Sequence, residues 1–442
     1  MSRRDEVRLA DVYGISRDVP MTYVPRPTVD GVLIDSLTRD KHIVIFGSSK
    51  QGKTCLRKYN LKEDEYIVVT CGNAWSLAHL HSAVLKAAGY TIEQTTTRTI
   101  SGGNKIAAKI SGKLRLGVLE VGTELGGDSS AEDTTETTEV ALELDPSDVN
   151  DIIAALTEVD FRGFIVLEDF HYLPDETQRD FAVALKAFHE ASDYSFIVVG
   201  VWLDQNRLIQ FNGDLTGRVI AINADAWSKS ELHQVISAGE SLLNITFDER
   251  FKNDLVGGCF YSVSVVQETC HRACELQAVW STRQSQVVIG RELSAPALIR
   301  EVVDQQTARY NTFIANFSEG FQASELEMYK WLLAPVLLAG SEALEGGLAY
   351  NSIRNTIDEH HPRAPINPGN ITQALQSTAS LQARFNIKPI ILDYDQTRRR
   401  LNVVDRGFLV WFKHQNLSDL VTSADLPDGL VTRQPALNLG DD

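Results

Sequence analysis

Runs of consecutive β-branched and aromatic residues punctuate the first half of the chain: His42-Ile43-Val44-Ile45-Phe46, Tyr66 to Thr70, Phe164 to Leu167 and Phe196 to Val201. Being apolar at every position instead of alternate ones, they have the pattern of parallel strands buried on both faces. Between them apolar residues recur at helical spacing over 78–88, 146–156 and 177–191. Strand and helix alternate, which predicts an α/β core with a parallel sheet covered on both sides. The stretch 220–223 is a candidate fifth strand.

The pattern changes twice. Residues from about 94 to 145 are rich in Thr, Ser and Gly and carry the acidic run Asp128 to Glu136; they are expected to be an insertion, a hairpin followed by a mobile acidic linker. After Ser228 the spacing turns helical over 230–243, 247–255, 262–279 and 295–317, and Ser228 with Glu231 has capping-box spacing. A last unit from about 321 reads as helices at 325–338, 350–360 and 370–385, then strands at 387–394 and 400–404. Three helices and a β-hairpin in that order predict an α+β winged helix. The expected division is the α/β core over 1–227, a helical lid with connecting helices over 228–320, the winged helix over 321–418, and a flexible tail over 419–442.

At 442 residues the chain has room for roughly three domains. With 43% hydrophobic and 23% charged residues it is not a mostly disordered chain. Asp plus Glu number 59 against 42 Lys plus Arg, giving −17, so the average surface repels nucleic acid and any such contact needs a local basic patch. The five cysteines are Cys55, Cys71, Cys259, Cys270 and Cys274, too sparse for a disulfide framework; Cys270 and Cys274 are expected to be buried thiols, not metal ligands. The first residues lack the apolar core of a signal peptide and the most apolar stretches are too short to span a bilayer, so a cytosolic location away from membranes is expected.

Candidate chemistry starts directly after the first strand. Gly47-Ser48-Ser49-Lys50-Gln51-Gly52-Lys53-Thr54 matches G-x-x-x-x-G-K-[ST] in full, followed by Cys55 at the head of a helix-capable segment. Glycines let the backbone curl so that successive N–H groups converge on a phosphate, and the helix adds its positive end. Lys53 is expected to reach the β- and γ-phosphates, and Thr54 to offer its hydroxyl to Mg²⁺. The matching partner is Glu168-Asp169 at the end of the third strand, where carboxylates hold Mg²⁺ and polarise the attacking water. Either Glu168 is the metal-side acid and Asp169 the water-side one, or the roles are shifted by one. His171, two residues on, reads as a packing residue.

These motifs resemble the AAA+ and STAND group of P-loop NTPases, including origin-recognition-like ATPases, from about Val19 to Leu276, with a winged helix following as those families often have. The resemblance implies ATP and Mg²⁺ as ligands, homo-oligomerisation, and an arginine finger acting on a neighbouring subunit's γ-phosphate. Arg218, in Asp214-Leu215-Thr216-Gly217-Arg218, is the match, with a structural ion pair as the alternative. Tyr23, in Tyr23-Val24-Pro25-Arg26-Pro27, stands where relatives pack on the base. The chain departs from the pattern at the fourth strand's end, where Gly200-Val201-Trp202-Leu203 offers no polar sensor, and at Gly257 to Ser264, which offers no second-sensor arginine. Slow hydrolysis or an ATP-gated switch is the expected consequence.

In the last unit Arg398, Arg399 and Arg400 fall at the hairpin tip, where a wing would meet a phosphate backbone, yet Asn370 to Ala379 has no cation to grip DNA. The expected function is an ATPase switch that oligomerises and couples nucleotide state to a protein partner, in bacterial defence or signalling; the alternative is an origin-recognition-like ATPase using the winged helix on duplex DNA.

Overall fold

The computed structural model describes residues 6–14, 18–100, 103–110, 141–321 and 325–432. Eight strands precede the lid: β1 (His42–Phe46), β2 (Tyr66–Thr70), β3 (Tyr90–Ile100), β4 (Gly103–Ile110), β5 (Ala141–Leu144), β6 (Phe164–Glu168), β7 (Phe196–Val199) and β8 (Val219–Asn223). Five form one parallel sheet in the order β2-β6-β7-β1-β8. Ile43 and Ile45 point to the face that packs Leu33, Leu56 and Ile222, while Val44 and Phe46 join Leu80, Phe181 and Leu185 on the other. Burial on both faces is why these strands read as unbroken apolar runs. With β7 between β1 and β6, the loops leaving β1 and β6 open at the same end of the sheet, about 10 Å apart.

The insertion supplies a separate antiparallel sheet, β3-β4-β5, paired from Tyr90 opposite Ile110 to Ile100 opposite Gly103. This pairing begins at Tyr90, ahead of the expected start of the insertion near 94; residues 111–140, with the acidic run 128–136, lie outside the described residues.

Ser228 caps the first lid helix, Lys229–Leu243, in a reciprocal capping box with Glu231. The helix expected from 247 starts two residues later. Ile245-Thr246-Phe247 is instead strand β9, parallel to β10 (Val287–Ile289), and Asp248 caps the helix Glu249–Gly258. Cys259, Cys270 and Cys274 are buried in the lid core. The single helix expected over 295–317 is two, Ala295–Asp304 and Thr307–Glu319, parted at Gln305 and Gln306.

The C-terminal unit runs helix Met328–Glu345, β11 (Leu348–Ala349), helix Tyr350–His360, helices Pro368–Gln376 and Thr378–Arg384, β12 (Leu392–Asp395), β13 (Arg400–Val403) and helix Arg406–Phe412, with the sheet ordered β11-β13-β12. This is a winged-helix arrangement. Three expectations need correction. The helix expected over 370–385 breaks at Ser377, whose ψ of 3° leaves the helical range. The strand expected over 387–394 pairs only from Leu392, because Pro389 has no N–H to give a ladder and the Gln382 amide binds the backbone of Ile391 and Leu392 instead. The tail is not free from 419: helix Leu417–Ser423 buries Leu420 and Val421, and Leu426 and Leu430 follow them into the core. Residues beyond 432 lie outside the described ones.

Candidate functional site

The loop Gly47–Thr54 joins β1 to the helix Lys53–Asn60. Gly52 caps that helix at φ 84°, a left-handed conformation that glycine adopts without strain. Gly47 is held against the next strand's exit: a Cβ there would stand 3.0 Å from the Asp225 backbone nitrogen. Lys50 takes φ 59° despite its side chain, a local cost of about 1–2 kcal/mol. Successive turns of this kind aim backbone N–H groups into one concavity, an anion nest. Lys53 is buried across its mouth, its Nζ donating to the carbonyls of Gly47 at 3.0 Å and Ser48 at 2.6 Å. Burial pulls its pKa down to about 8, against the opposing pull of Asp225, Glu168 and Asp169. A buried cation of this kind is stabilised by an anion placed in the nest.

The loop opens into a cavity of about 310 Å³. Its walls include Ser49 to Cys55, Glu168, Asp169 and His171, together with Tyr23, Arg26 and Trp227. Thr54 is exposed and lines the same cavity as the two carboxylates. The two acids differ in what they touch. Glu168 is tied to Arg57, whose Nε lies 3.0 Å from its Oε1 in a nearly buried pair, and that guanidinium also sits 4.6 Å over the Tyr66 ring. Asp169 turns out of the strand at φ 58°; burial raises its pKa, opposed by Lys53 and Lys388. Mg²⁺ is bound by oxygen, usually from one or two carboxylates plus phosphate. Thr54, Glu168 and Asp169 on one cavity wall fit that need. Among the described residues there is no His, Cys, Asp and Glu cluster able to hold a metal alone.

Elsewhere on the wall Tyr23 stacks on Tyr59 with ring centroids 4.3 Å apart and donates its hydroxyl to Asp30 at 2.5 Å. Beside it the Arg26 guanidinium lies 4.0 Å over Trp227, giving a flat, partly apolar wall. Arg218 stands elsewhere. Its carbonyl accepts the His42 N–H at 3.0 Å, at the opposite end of β1 from the loop, and its guanidinium pairs with Glu190 at 2.8 Å. Arg398 to Arg400 are also remote. Arg399 lies 4.2 Å over Tyr350, and Arg400 donates to the Gly346 and Gly347 carbonyls at 3.1 and 2.7 Å.

Sequence reading missed the braces around the loop. Asp225, just past β8, accepts from the Ser48 N–H at 3.1 Å and the Ser48 hydroxyl at 2.8 Å. Arg406 of the winged helix donates to the same carboxylate at 2.9 Å, and the Ser49 N–H donates to the Val404 carbonyl at 2.7 Å. From the lid, Gln51 binds the Tyr261 carbonyl and the Val263 N–H through its amide. These partners lie some 180–360 residues from the loop in sequence, and no local pattern marks them. His171, expected to be packing, is 4% exposed on the cavity wall with neither ring nitrogen hydrogen-bonded.

A parallel β2-β6-β7-β1-β8 sheet carrying a G-x-x-x-x-G-K-T loop after β1 and acids after β6 defines a P-loop nucleotide-binding core, with a helical lid and a winged helix appended. No family model and no curated protein matches the chain. Among solved structures it is similar to the ORC2 protein of Aeropyrum pernix, described as ADPNP–ADP complexes, at 13% identity over 94% of this chain and 98% of that one with a TM-score of 0.42. It is also similar to the Walker-type ATPase PABY2304 of Pyrococcus abyssi, at 11% identity over 89% and 99% with a TM-score of 0.46. A third likeness is to the Aeropyrum pernix ORC1 protein in complex with DNA, at 11% identity over 98% and 100% with a TM-score of 0.43.

Proposed function

We propose that the chain is an ATP-binding, ATP-hydrolysing switch that uses Mg²⁺ and couples its nucleotide state to the seating of its own winged helix, and through it to a protein partner. The observation that carries this reading is the loop itself. Its nest of amides and the under-compensated Lys53 form an anion site, and the same residues, Ser48 and Ser49, are held by Asp225, Arg406 and Val404. A ligand that draws on the loop must bear on those contacts.

In this reading Lys53 and the amides of residues 50–54 hold the β- and γ-phosphates, and Tyr23, Arg26 and Trp227 flank the base. Thr54 and Asp169 would hold Mg²⁺, which when bound neutralises charge on the transferring phosphoryl group. Glu168, clamped by Arg57, fixes the turn that presents Asp169. Arg218 is too far from its own loop to serve it, so a role as a finger belongs to assembly with a second copy. The winged helix favours a protein partner over duplex DNA. Thr378–Arg384 turns Ala379 and Ala383 onto Tyr172 of the core, and two of the three tip arginines are engaged within the chain.

The test is binding and turnover with ATP and Mg²⁺. ATP at about 100 times its Kd should raise unfolding stability by about 2.7 kcal/mol. Lys53→Ala should abolish that gain, and Asp169→Asn should keep binding and stop phosphate release. Equal stabilisation of the Lys53→Ala protein would refute the reading.

A further inference from the structure

We propose that His171 makes the polar contact to the γ-phosphoryl end of the nucleotide that the fourth core strand does not provide. This deepens the ATP reading above and rests on it. The strand β7 exits into Gly200 and Val201, which line the cavity with no side-chain hydrogen-bonding group. His171 lines the same cavity with Lys53, Glu168 and Asp169, the residues of its phosphate end.

The ring is 4% exposed, and neither Nδ1 nor Nε2 has a hydrogen-bond partner. Leaving a buried polar group unpaired costs about 1–3 kcal/mol, a penalty an apolar side chain does not incur. A γ-phosphoryl oxygen beside Lys53 is the acceptor that removes the penalty. An imidazole carries an N–H on at least one ring nitrogen in either protonation state, so the contact is an N–H donated by the ring. Its position follows from Asp169, whose left-handed turn starts the short helix Phe170–Tyr172 and swings residue 171 back toward the loop.

The contact also has a route outward. The imidazole packs on Tyr172 with ring centroids 4.0 Å apart, and Tyr172 lies beneath the Lys388 ammonium at 4.3 Å and against Ala379, Ala383, Ile390 and Val404 of the winged helix. Drawing His171 toward a γ-phosphate therefore loosens its packing on the ring that supports the winged helix.

The experiment measures ATP and ADP affinities of the full chain with Mg²⁺ by calorimetry, for wild type, His171→Phe and His171→Gln, together with phosphate release. ADP lacks the γ group, so its affinity should be unchanged in both variants. ATP affinity should fall about tenfold or more in His171→Phe, with His171→Gln recovering part of it, as expected for one hydrogen bond to a charged acceptor. Phosphate release at saturating ATP should fall about a hundredfold in His171→Phe. Wild-type ATP affinity and turnover in His171→Phe would overturn the proposal, as would equal losses for ADP and ATP in both variants, which assign the ring to packing alone. A wild-type chain that binds ADP but shows no preference for ATP overturns it too. Failure of the wild type to bind either nucleotide overturns instead the ATP reading on which it rests.

Discussion

Asp225 and Arg406 lie 181 residues apart and meet over Ser48 of the phosphate loop, with side chains 5% and 13% exposed. Replacing Asp225 by Ala removes the carboxylate that accepts from the Ser48 N–H, the Ser48 hydroxyl and Arg406. The guanidinium then stays largely buried, its Nε already without a partner and Glu345 no nearer than 4.0 Å. Stranding a buried charge in this way costs about 3–5 kcal/mol. The reverse change, Arg406→Met, is milder, because both Ser48 donors still hold Asp225 and the thioether fills the apolar stem's space; about 1–2 kcal/mol is expected. In the double variant no charge is stranded, so its loss should fall short of the summed single losses by about 2 kcal/mol. Urea unfolding of the four proteins, followed at the transition that releases the winged helix, measures the cycle. A coupling below about 0.5 kcal/mol would mean that the pair is not a working brace between the loop and the winged helix.

Other consequences are simpler. His42 is buried with Nε2–H donating to the Leu185 carbonyl at 2.9 Å and Nδ1 accepting the Phe196 N–H at 3.2 Å, and burial lowers its pKa to about 4. The unfolded chain therefore binds this proton first, near pH 6.5, so stability is full above that value and lost as pH falls toward 4, by about 3 kcal/mol. His42→Gln should flatten the stability–pH curve over that window, and an unchanged slope in urea titrations would refute it. Arg218→Ala should reduce phosphate release only at concentrations where the chain assembles, measured beside the mass distribution in solution; an equal loss in the monomer rules out action in trans. Replacing Arg398, Arg399 and Arg400 together by Gln should leave duplex DNA affinity within threefold at physiological salt, and a larger loss by fluorescence anisotropy would restore the tip as a DNA contact.

The core was legible because its physics is local. Unbroken apolar runs identify strands buried on both faces, and a loop that must curl around phosphate needs glycine and lysine at set spacing, so β1, β6 and the residues 47–54 could be read directly. Local legibility ends where a tertiary partner overrides pattern. The spacing of 370–385 is helical throughout, yet Ser377 bends it so that Ala379 and Ala383 can meet Tyr172. Ile387 to Ile391 look like a strand, but the Gln382 amide takes the place of a ladder for part of that run. Asp225, Arg57 and Arg406 carry no motif, since any acid or base at those positions would look the same in sequence. His171 looked like packing because burial and proximity to Lys53 appear only once β6 and the loop stand side by side.

Those illegible contacts also tie so short a loop to distant units. The phosphate loop touches the winged helix through Ser49 and Val404, the fifth strand's exit through Ser48 and Asp225, and the lid through Gln51. Arg207 of the core is paired with Asp393 of the winged helix at 2.9 Å with both side chains nearly buried, so the interface carries a second charge pair away from the loop. Buried pairs of this kind add little net stability but penalise partial separation, because a half-open interface strands a charge without solvating it. The winged helix should then be either seated or released, with few stable positions between. A triphosphate competing for Lys53 and reshaping the Ser48–Ser49 turn acts on one of the two pairs directly. On the proposed reading, the loop is then one place, beside the Tyr172 face, where nucleotide binding bears on the seating of the winged helix.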